Sequence, residues 1–333
     1  MEIANLWPHS AVRPDIVIAD SLYGLCHESM AHLFVSTPIS PCNGYSLDEV
    51  LESSSEIRGL VISPGVQVET IHNKASSAIL SNKVCDNKCG RYNYNNSITA
   101  FSENERVPYR CSNCFTVGMI CRLSKEKSVG LFLLAIKELS SRCSFCRFKI
   151  GGDGPMKAQL ELLSLSLGID HLVTFVGWVS KDDIPSFVMT LDVIVNTGAF
   201  REIFNTANLD ILALAVPIIT FAAGGLGEYI QDPANRNQEE VTSFISNAFP
   251  LDYFNLQDMN FAYNELPPFS IGINAIIVNW PCPKALSAAI LFSTYANKTR
   301  SGIGYAGMET VDKYFQSKKM NYAYEKLFLS IAK

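Results

Sequence analysis

The chain has 333 residues, 48% of them hydrophobic and 18% charged, which is ordinary globular composition and enough for two domains of average size. A formal charge of −5 argues against a nucleic-acid partner, because phosphate backbones select basic surfaces. No cationic start leads into an apolar stretch, and the longest apolar runs are far too short to cross a bilayer, so a cytoplasmic protein without a transmembrane segment is expected.

Residues 15–20 read as a strand, and 33–36 and 59–62 are candidates for two more. Residues 73–107 are polar, with Asn93, Asn95 and Asn96 beside Tyr92 and Tyr94, and read as a loop or linker. Regular alternation begins at 115. Residues 115–120 form a short apolar run, 129–139 a helix with apolar residues near a period of 3.6, and 147–150 a strand. Gly151-Gly152-Asp153-Gly154-Pro155 breaks that strand, and 156–167 is a helix with Gly168 as its C-cap. Strands follow at 172–176, 191–195 and 217–221, with helices at 181–189 and 204–214 and a helical turn at 226–230. Residues 232–271 are rich in Asn, Phe, Tyr and Pro without a clear period and read as an insertion. A buried strand at 274–278, a helix at 283–292 and an amphipathic segment at 311–331 come after it. Strands and helices alternating at this length imply a parallel sheet covered on both faces.

Open parallel sheets bind ligands at the carboxyl ends of their strands. Five loops should therefore meet on one rim. The first, Cys121-Arg122-Leu123-Ser124-Lys125-Glu126-Lys127, brings Arg122 and Lys127; the second is Gly152-Asp153-Gly154-Pro155 and the third Gly177-Trp178-Val179. The fourth, 196–202, ends on Glu202, and the fifth is Ala222-Ala223-Gly224-Gly225. Glycine-bearing loops that open helices let backbone N–H groups approach a phosphate, which the helix dipole favours. Arg122 and Lys127 would add charge-assisted bonds to a diphosphate. Glu202, with Asp210 two turns further on, could accept hydrogen bonds from sugar hydroxyls. The pattern points to a phosphate-bearing, hydroxyl-rich ligand.

These motifs together resemble the retaining GT-B glycosyltransferases, in particular glycosyltransferase family 4. Of that family's G-R-L-x-x-E-K-G, Arg122, Leu123, Glu126 and Lys127 are kept, while Cys121 and Ser128 replace the flanking glycines. G-D-G-P stands unchanged at Gly152 to Pro155, and F-x-G-x-V spans Phe175 to Val179. E-x7-E is matched by Glu202 and Asp210. A-x-G-x-P continuing to G-G-x-x-E is matched from Ala213 through Pro217, Gly224 and Gly225 to Glu228, with Ala215 for the first glycine. Asn279-Trp280-Pro281 with the following Ala285-Leu286 resembles the final strand and helix.

The resemblance implies an α/β, GT-B-like fold: one complete Rossmann-like doubly wound parallel-sheet domain plus an incomplete N-terminal α/β domain. The expected division is a partial acceptor-side domain over 1–72 and a polar loop or linker over 73–113. The nucleotide-sugar-binding domain would take 114–230 and 273–310, with an irregular insertion over 231–272 and a C-terminal helix over 311–333. The opening strand and glycine loop of a full acceptor domain have no counterpart. The implied activity is hexosyl transfer from a nucleotide-diphosphate sugar to an acceptor hydroxyl of a glycan, lipid or protein, with retention and no required cofactor. Arg122 and Lys127 would hold the diphosphate, with Gly152, Gly154, Gly224 and Gly225 giving close backbone approach. The backbone near Val179 would meet the base, Glu202 the donor sugar and Asp210 the ribose.

Two other functions fit parts of the sequence. One is a catalytically inactive nucleotide-sugar-binding module. The other is a zinc-stabilised interaction protein, in which Cys85, Cys89, Cys111 and Cys114 form a four-thiolate site. A cytosolic chain with ten cysteines is expected to hold free thiols or metal rather than disulfides, with Cys143 and Cys146 packing a helix–strand corner.

Overall fold

The computed structural model describes residues 17–19, 59–61, 65–80, 114–198, 206–221, 229–230, 238–250, 253–254 and 267–331. Two short strands, β1 (Val17–Ala19) and β2 (Gly59–Val61), pair in parallel. Helix α1 (Val68–Leu80) precedes the main sheet. That sheet and its helices run β3 (Phe115–Ile120), α2 (Val129–Ser140), β4 (Cys146–Gly151), α3 (Lys157–Ser166), β5 (Val173–Gly177), α4 (Ile184–Val188), β6 (Val193–Asn196), α5 (Thr206–Ala213) and β7 (Ile218–Phe221). After them come α6 (Gln238–Ala248), β8 (Phe269–Ile271), β9 (Ile276–Val278), α7 (Pro283–Tyr295), α8 (Asn297–Tyr314) and α9 (Ser317–Ile331).

The sheet has seven strands in the order β5-β4-β3-β6-β7-β9-β8. All neighbours are parallel except the edge pair β8–β9. Both faces are buried, which is why the strand cores are continuous apolar runs. Phe115, Val117 and Met119 of β3 join Phe132, Leu133 and Ile136 of α2 and Leu286 and Ile290 of α7 on one face. On the other, Ile194, Ile218 and Ile277 meet α5 together with Val68 and Ile71 of α1 and Val311 of α8. Strand order reverses between β3 and β6, so the crevice between their carboxyl ends is a topological switch point, where such sheets bind ligands.

Four local differences from the sequence reading have physical causes. The polar stretch expected from residue 73 begins as helix, because α1 turns Asn73 and Ser77 outward and buries Ile71 and Ala75. There His72 Nε2 lies 2.7 Å from the Ala213 carbonyl oxygen, and Lys74 pairs with Asp182 at 2.5 Å. The aperiodic stretch after 231 holds α6, which buries Val241 and packs Phe244 edge-on against Phe249, Phe269 and Phe292. The Arg142 guanidinium lies 4.8 Å from the centroids of both Phe249 and Tyr253. Helix α8 went unread because three glycines dilute its pattern. Two of them are needed for close approach: a Cβ at Gly304 would meet the Ala215 carbonyl, and one at Gly307 the Leu212 side chain. The amphipathic segment 311–331 is broken at Phe315–Gln316, where Val66 N–H donates to the Phe315 carbonyl at 2.8 Å and the Val66 carbonyl accepts from Ser317 N–H at 3.0 Å.

A fifth difference is a correction. Cys143 and Cys146 are bonded as a disulfide, although a chain read as cytosolic was expected to keep its thiols free. The tight turn from α2 into β4 sets their Cα atoms 5.5 Å apart, within bridging range, and both are buried.

Fully buried Asn274 ties the sheet to α8, donating through Nδ2 to the Tyr229 carbonyl at 2.7 Å and to Thr310 Oγ1 at 3.1 Å. Tyr229 is itself buried and accepts at its hydroxyl from Asn208 Nδ2 at 2.8 Å. Removing the amide strands buried partners, so Asn274→Ala is expected to cost about 2–3 kcal/mol in urea unfolding. A cost under about 0.5 kcal/mol would show that these bonds are not made.

Candidate functional site

The rim is built by loops that bond to one another. Cys121 N–H donates to the Gly151 carbonyl at 3.1 Å, Leu123 N–H to Asp153 at 2.9 Å, and Met156 N–H to Leu123 at 3.0 Å. The loop after β3 thus lies along the loop after β4. Gly152 N–H reaches the Gly177 carbonyl at 2.6 Å, which adds the end of β5. Val179 folds back over Gly151, where a Cβ would come within 3.0 Å of its Cγ2. Across the switch point, Thr197 Oγ1 donates to the Lys127 carbonyl at 2.6 Å. Four strand ends therefore share one bonded rim.

Gly152 has φ +127°, and a Cβ there would overlap the Cys121 carbonyl oxygen. At Gly154 a Cβ would fall 2.5 Å from the Leu123 carbonyl oxygen. The glycines of G-D-G-P thus let the cation loop sit against the second loop. Ser128, at φ 49°, holds the left-handed turn between the short 3-10 turn Lys125–Lys127 and α2. This explains the glycine of the family pattern at that position.

The site's electrostatics follow from this packing. Lys127 is half-buried, and desolvation lowers its pKa from the ordinary 10.5. Arg122 is exposed. Ser124 Oγ donates to Glu126 Oε1 at 2.5 Å and holds that carboxyl below its ordinary range. The Cys121 thiol is pushed up to about 11 by burial, with the Lys127 charge acting in the opposite sense. Asp210 lies half-buried on α5; burial raises its pKa, while the charges of Lys181 and Lys74 lower it.

The structure thus brings together Arg122, Lys127, Gly152, Gly154 and Val179 in interlocked loops and sets Asp210 on α5. Glu202, Gly224 and Gly225 lie outside the described residues, as do Cys85, Cys89 and Cys111; Cys114 is half-buried at the start of β3. Among the described residues no cluster of His, Cys, Asp or Glu could hold a metal, and no helix is long and apolar enough to cross a membrane. Thr197 was missed. Its only signal in sequence was its place just past an apolar run at the fourth strand end.

The molecule is thus an open, mostly parallel α/β sheet with interlocked, cation-bearing glycine loops at its switch point, where such sheets bind ligands. The fold is that of GT-B glycosyltransferases. HepE of Anabaena, solved with UDP and glucose, matches with a TM-score of 0.59 at 15% identity, over 95% of this chain and 63% of that one. Sucrose-phosphate synthase of Thermosynechococcus elongatus matches with a TM-score of 0.55 at 14% identity, over 95% and 67%. The segment 102–243 matches the family model for glycosyl transferases group 1. It includes every candidate residue from Arg122 to Gly225. Alpha-D-kanosaminyltransferase of Streptomyces kanamyceticus is 30% identical over 111 residues, which are 33% of this chain and 28% of that protein. Alpha-monoglucosyldiacylglycerol synthase of Acholeplasma laidlawii is 27% identical over 136 residues, 39% of this chain and 34% of that protein. The chain thus spans about a third or less of the length of these curated relatives.

The glycines divide into two kinds, which stability measurements will separate. Gly152→Ala must move the Cys121 carbonyl and is expected to cost about 2–4 kcal/mol. Ser128→Gly relieves a left-handed L-residue and is expected to gain roughly 0.5–1 kcal/mol after the extra chain entropy of glycine. Urea midpoints that move in the opposite directions would refute this loop geometry.

Proposed function

We propose that the chain transfers a sugar from a nucleotide-diphosphate sugar to an acceptor hydroxyl with retention, as a family 4-like glycosyltransferase. The observation that carries this reading is the bonded rim at the switch point, with half-buried Lys127 and exposed Arg122 on its central loop. In this reading the two cations hold the donor diphosphate and stabilise its charge as the sugar leaves. Gly152, Gly154, Gly224 and Gly225 give backbone approach. The backbone near Val179 meets the base, Asp210 the ribose and Glu202 the donor sugar. The acceptor is a glycan, lipid or protein hydroxyl. The names of the relatives, a kanosaminyltransferase and a monoglucosyldiacylglycerol synthase, support the class.

A second reading, binding without transfer, draws on one observation: the small share of each curated relative that the chain matches. Calorimetric titration with UDP and GDP, followed by assay of donor hydrolysis and transfer, separates the two. Turnover with an anomeric configuration in the product equal to that of the donor, read by proton NMR, supports retaining transfer. Inversion rejects it, and binding without turnover supports the second reading. Absence of nucleotide binding rejects both.

The residue assignments make separate predictions. A charge-assisted bond contributes about 1.5–3 kcal/mol, so Lys127→Ala is expected to weaken diphosphate binding roughly 10- to 100-fold. Burial favours the neutral amine, so in the wild type affinity should begin to fall with rising pH before the ordinary lysine value of 10.5. An affinity indifferent to both changes would remove Lys127 from the site. Glu202→Ala should lower turnover more than affinity for the bare nucleotide.

A further inference from the structure

A cleft of about 500 Å³ lies away from the rim, lined by Arg142, Phe244, Asn247, Ala248, Leu291 and Tyr295. It sits at the amino ends of the strands, because Arg142 stands in the turn that enters β4. Helix α2 has 12 residues and so sets Arg142 about 18 Å from the cation loop. No residue of the rim borders this cleft.

Its aromatic wall is held from behind. Phe244 meets Phe249 and Phe292 edge-on, with ring centroids 6.1 and 5.2 Å apart. Tyr295 leans on Phe244 at 6.4 Å yet is 66% exposed, so most of its ring stays in water. The cation is held too. The Arg142 guanidinium lies over the rings of Phe249 and Tyr253, and its Nη1 donates to the Ala248 carbonyl at 3.0 Å. A guanidinium carries five N–H donors, and among the described residues Arg142 has no carboxylate partner. Glu138, the one carboxylate on α2, accepts instead from the Tyr253 hydroxyl at 3.4 Å. A half-buried cationic fork thus shares the cleft with an open aromatic face and the exposed amide of Asn247.

These groups define the ligand they suit: an apolar ring face for Tyr295, hydroxyls for the amide and a carboxylate for the fork. A pyranose offers a face of C–H bonds rimmed by hydroxyls, and a uronic acid adds the carboxylate. The cleft is open to solvent rather than enclosed, which admits one residue of a longer chain. We propose that this cleft binds a uronate residue of an acidic oligosaccharide, stacked on Tyr295 with its carboxylate on Arg142. The proposal is independent of the donor-site reading.

The test is calorimetry of wild type, Y295A, Y295F and R142K with tetragalacturonate, with neutral maltotetraose and benzoate as comparisons and circular dichroism as a check on folding. The wild type should bind tetragalacturonate at least about tenfold more tightly than maltotetraose, as one charge-assisted bond would give. Y295A changes an exposed side chain and should weaken the acidic saccharide roughly tenfold through lost apolar contact. Y295F, which keeps the ring, should retain most of the affinity. R142K keeps the charge but not the fork and should narrow the preference for the acid by about threefold or more. Any nucleotide affinity of the wild type should persist in Y295A. A wild type that does not bind tetragalacturonate, or binds maltotetraose equally well, overturns the proposal, as does an unchanged affinity in Y295A. Benzoate bound more tightly than the saccharide also overturns it and makes the cleft a site for aromatic acids.

Discussion

The hydrogen-bonded seating of the loop after β3 on the loop after β4 is the constraint on which the rest of the site depends. Leu123 is held from both sides, donating to Asp153 and accepting from Met156. That grip fixes the course of the chain from Cys121 to Lys127 and so the origin of both cations. It is possible only because no Cβ stands at 152 or 154, where carbonyl oxygens of the first loop occupy the space. The strand order gives the contact its importance. β3 is the strand from which the sheet grows in both directions, so its loop borders the switch point. Thr197 closes the other side by donating to the Lys127 carbonyl. A lysine held by its backbone on both flanks keeps its ammonium half-buried, and this is the physical cause of its lowered pKa.

Beneath the rim, polar anchors set the position of segments that apolar packing alone would leave free to slide. Asn274 joins β9's entry, Tyr229 and α8 in one buried set of bonds. Tyr229 is thereby fixed against the start of β9 and, through Asn208, against α5. The glycines of α8 serve the same end from outside: they bring that helix onto the carbonyl of Ala215 and the side chain of Leu212.

What could be read from sequence was what repeats locally. The strands from β3 to β7 and the helices between them followed from short apolar runs, 3.6-residue spacing and glycine punctuation. The cation loop and G-D-G-P were legible because their chemistry is contained in a few consecutive residues. Contacts between distant residues left no such trace. Helix α8 was hidden because Gly302, Gly304 and Gly307 break its periodicity, and the reason for the last two lies far off in the chain, in α5 and its exit. The end of α1 was hidden because Asn73 and Ser77 are polar for solvent, not for a loop. The break before α9 is set by Val66, a residue in the first quarter of the chain. Thr197 acts through a backbone carbonyl seventy residues earlier, which no local pattern encodes.

The departures from the family pattern are informative for the same reason. Two of the replaced glycines, at Ser128 and Ala215, sit at φ 49° and 56°, where an L-residue is strained but not excluded. Such strain costs roughly 1–2 kcal/mol and stays local. Cys121 is different again: it is not in the left-handed region, and its half-buried side chain packs against the core. Gly152 and Gly154 are retained, and there a side chain would collide with a backbone carbonyl rather than merely strain a dihedral. The pattern's glycines are thus replaced where the penalty is torsional or absent and kept where a side chain would part the two loops. Parting the loops would cost stability as well as cation placement, since a side chain at 152 must displace the Cys121 carbonyl. The glycines that remain are thus those on which the loop contact, and the cation placement it enforces, depends.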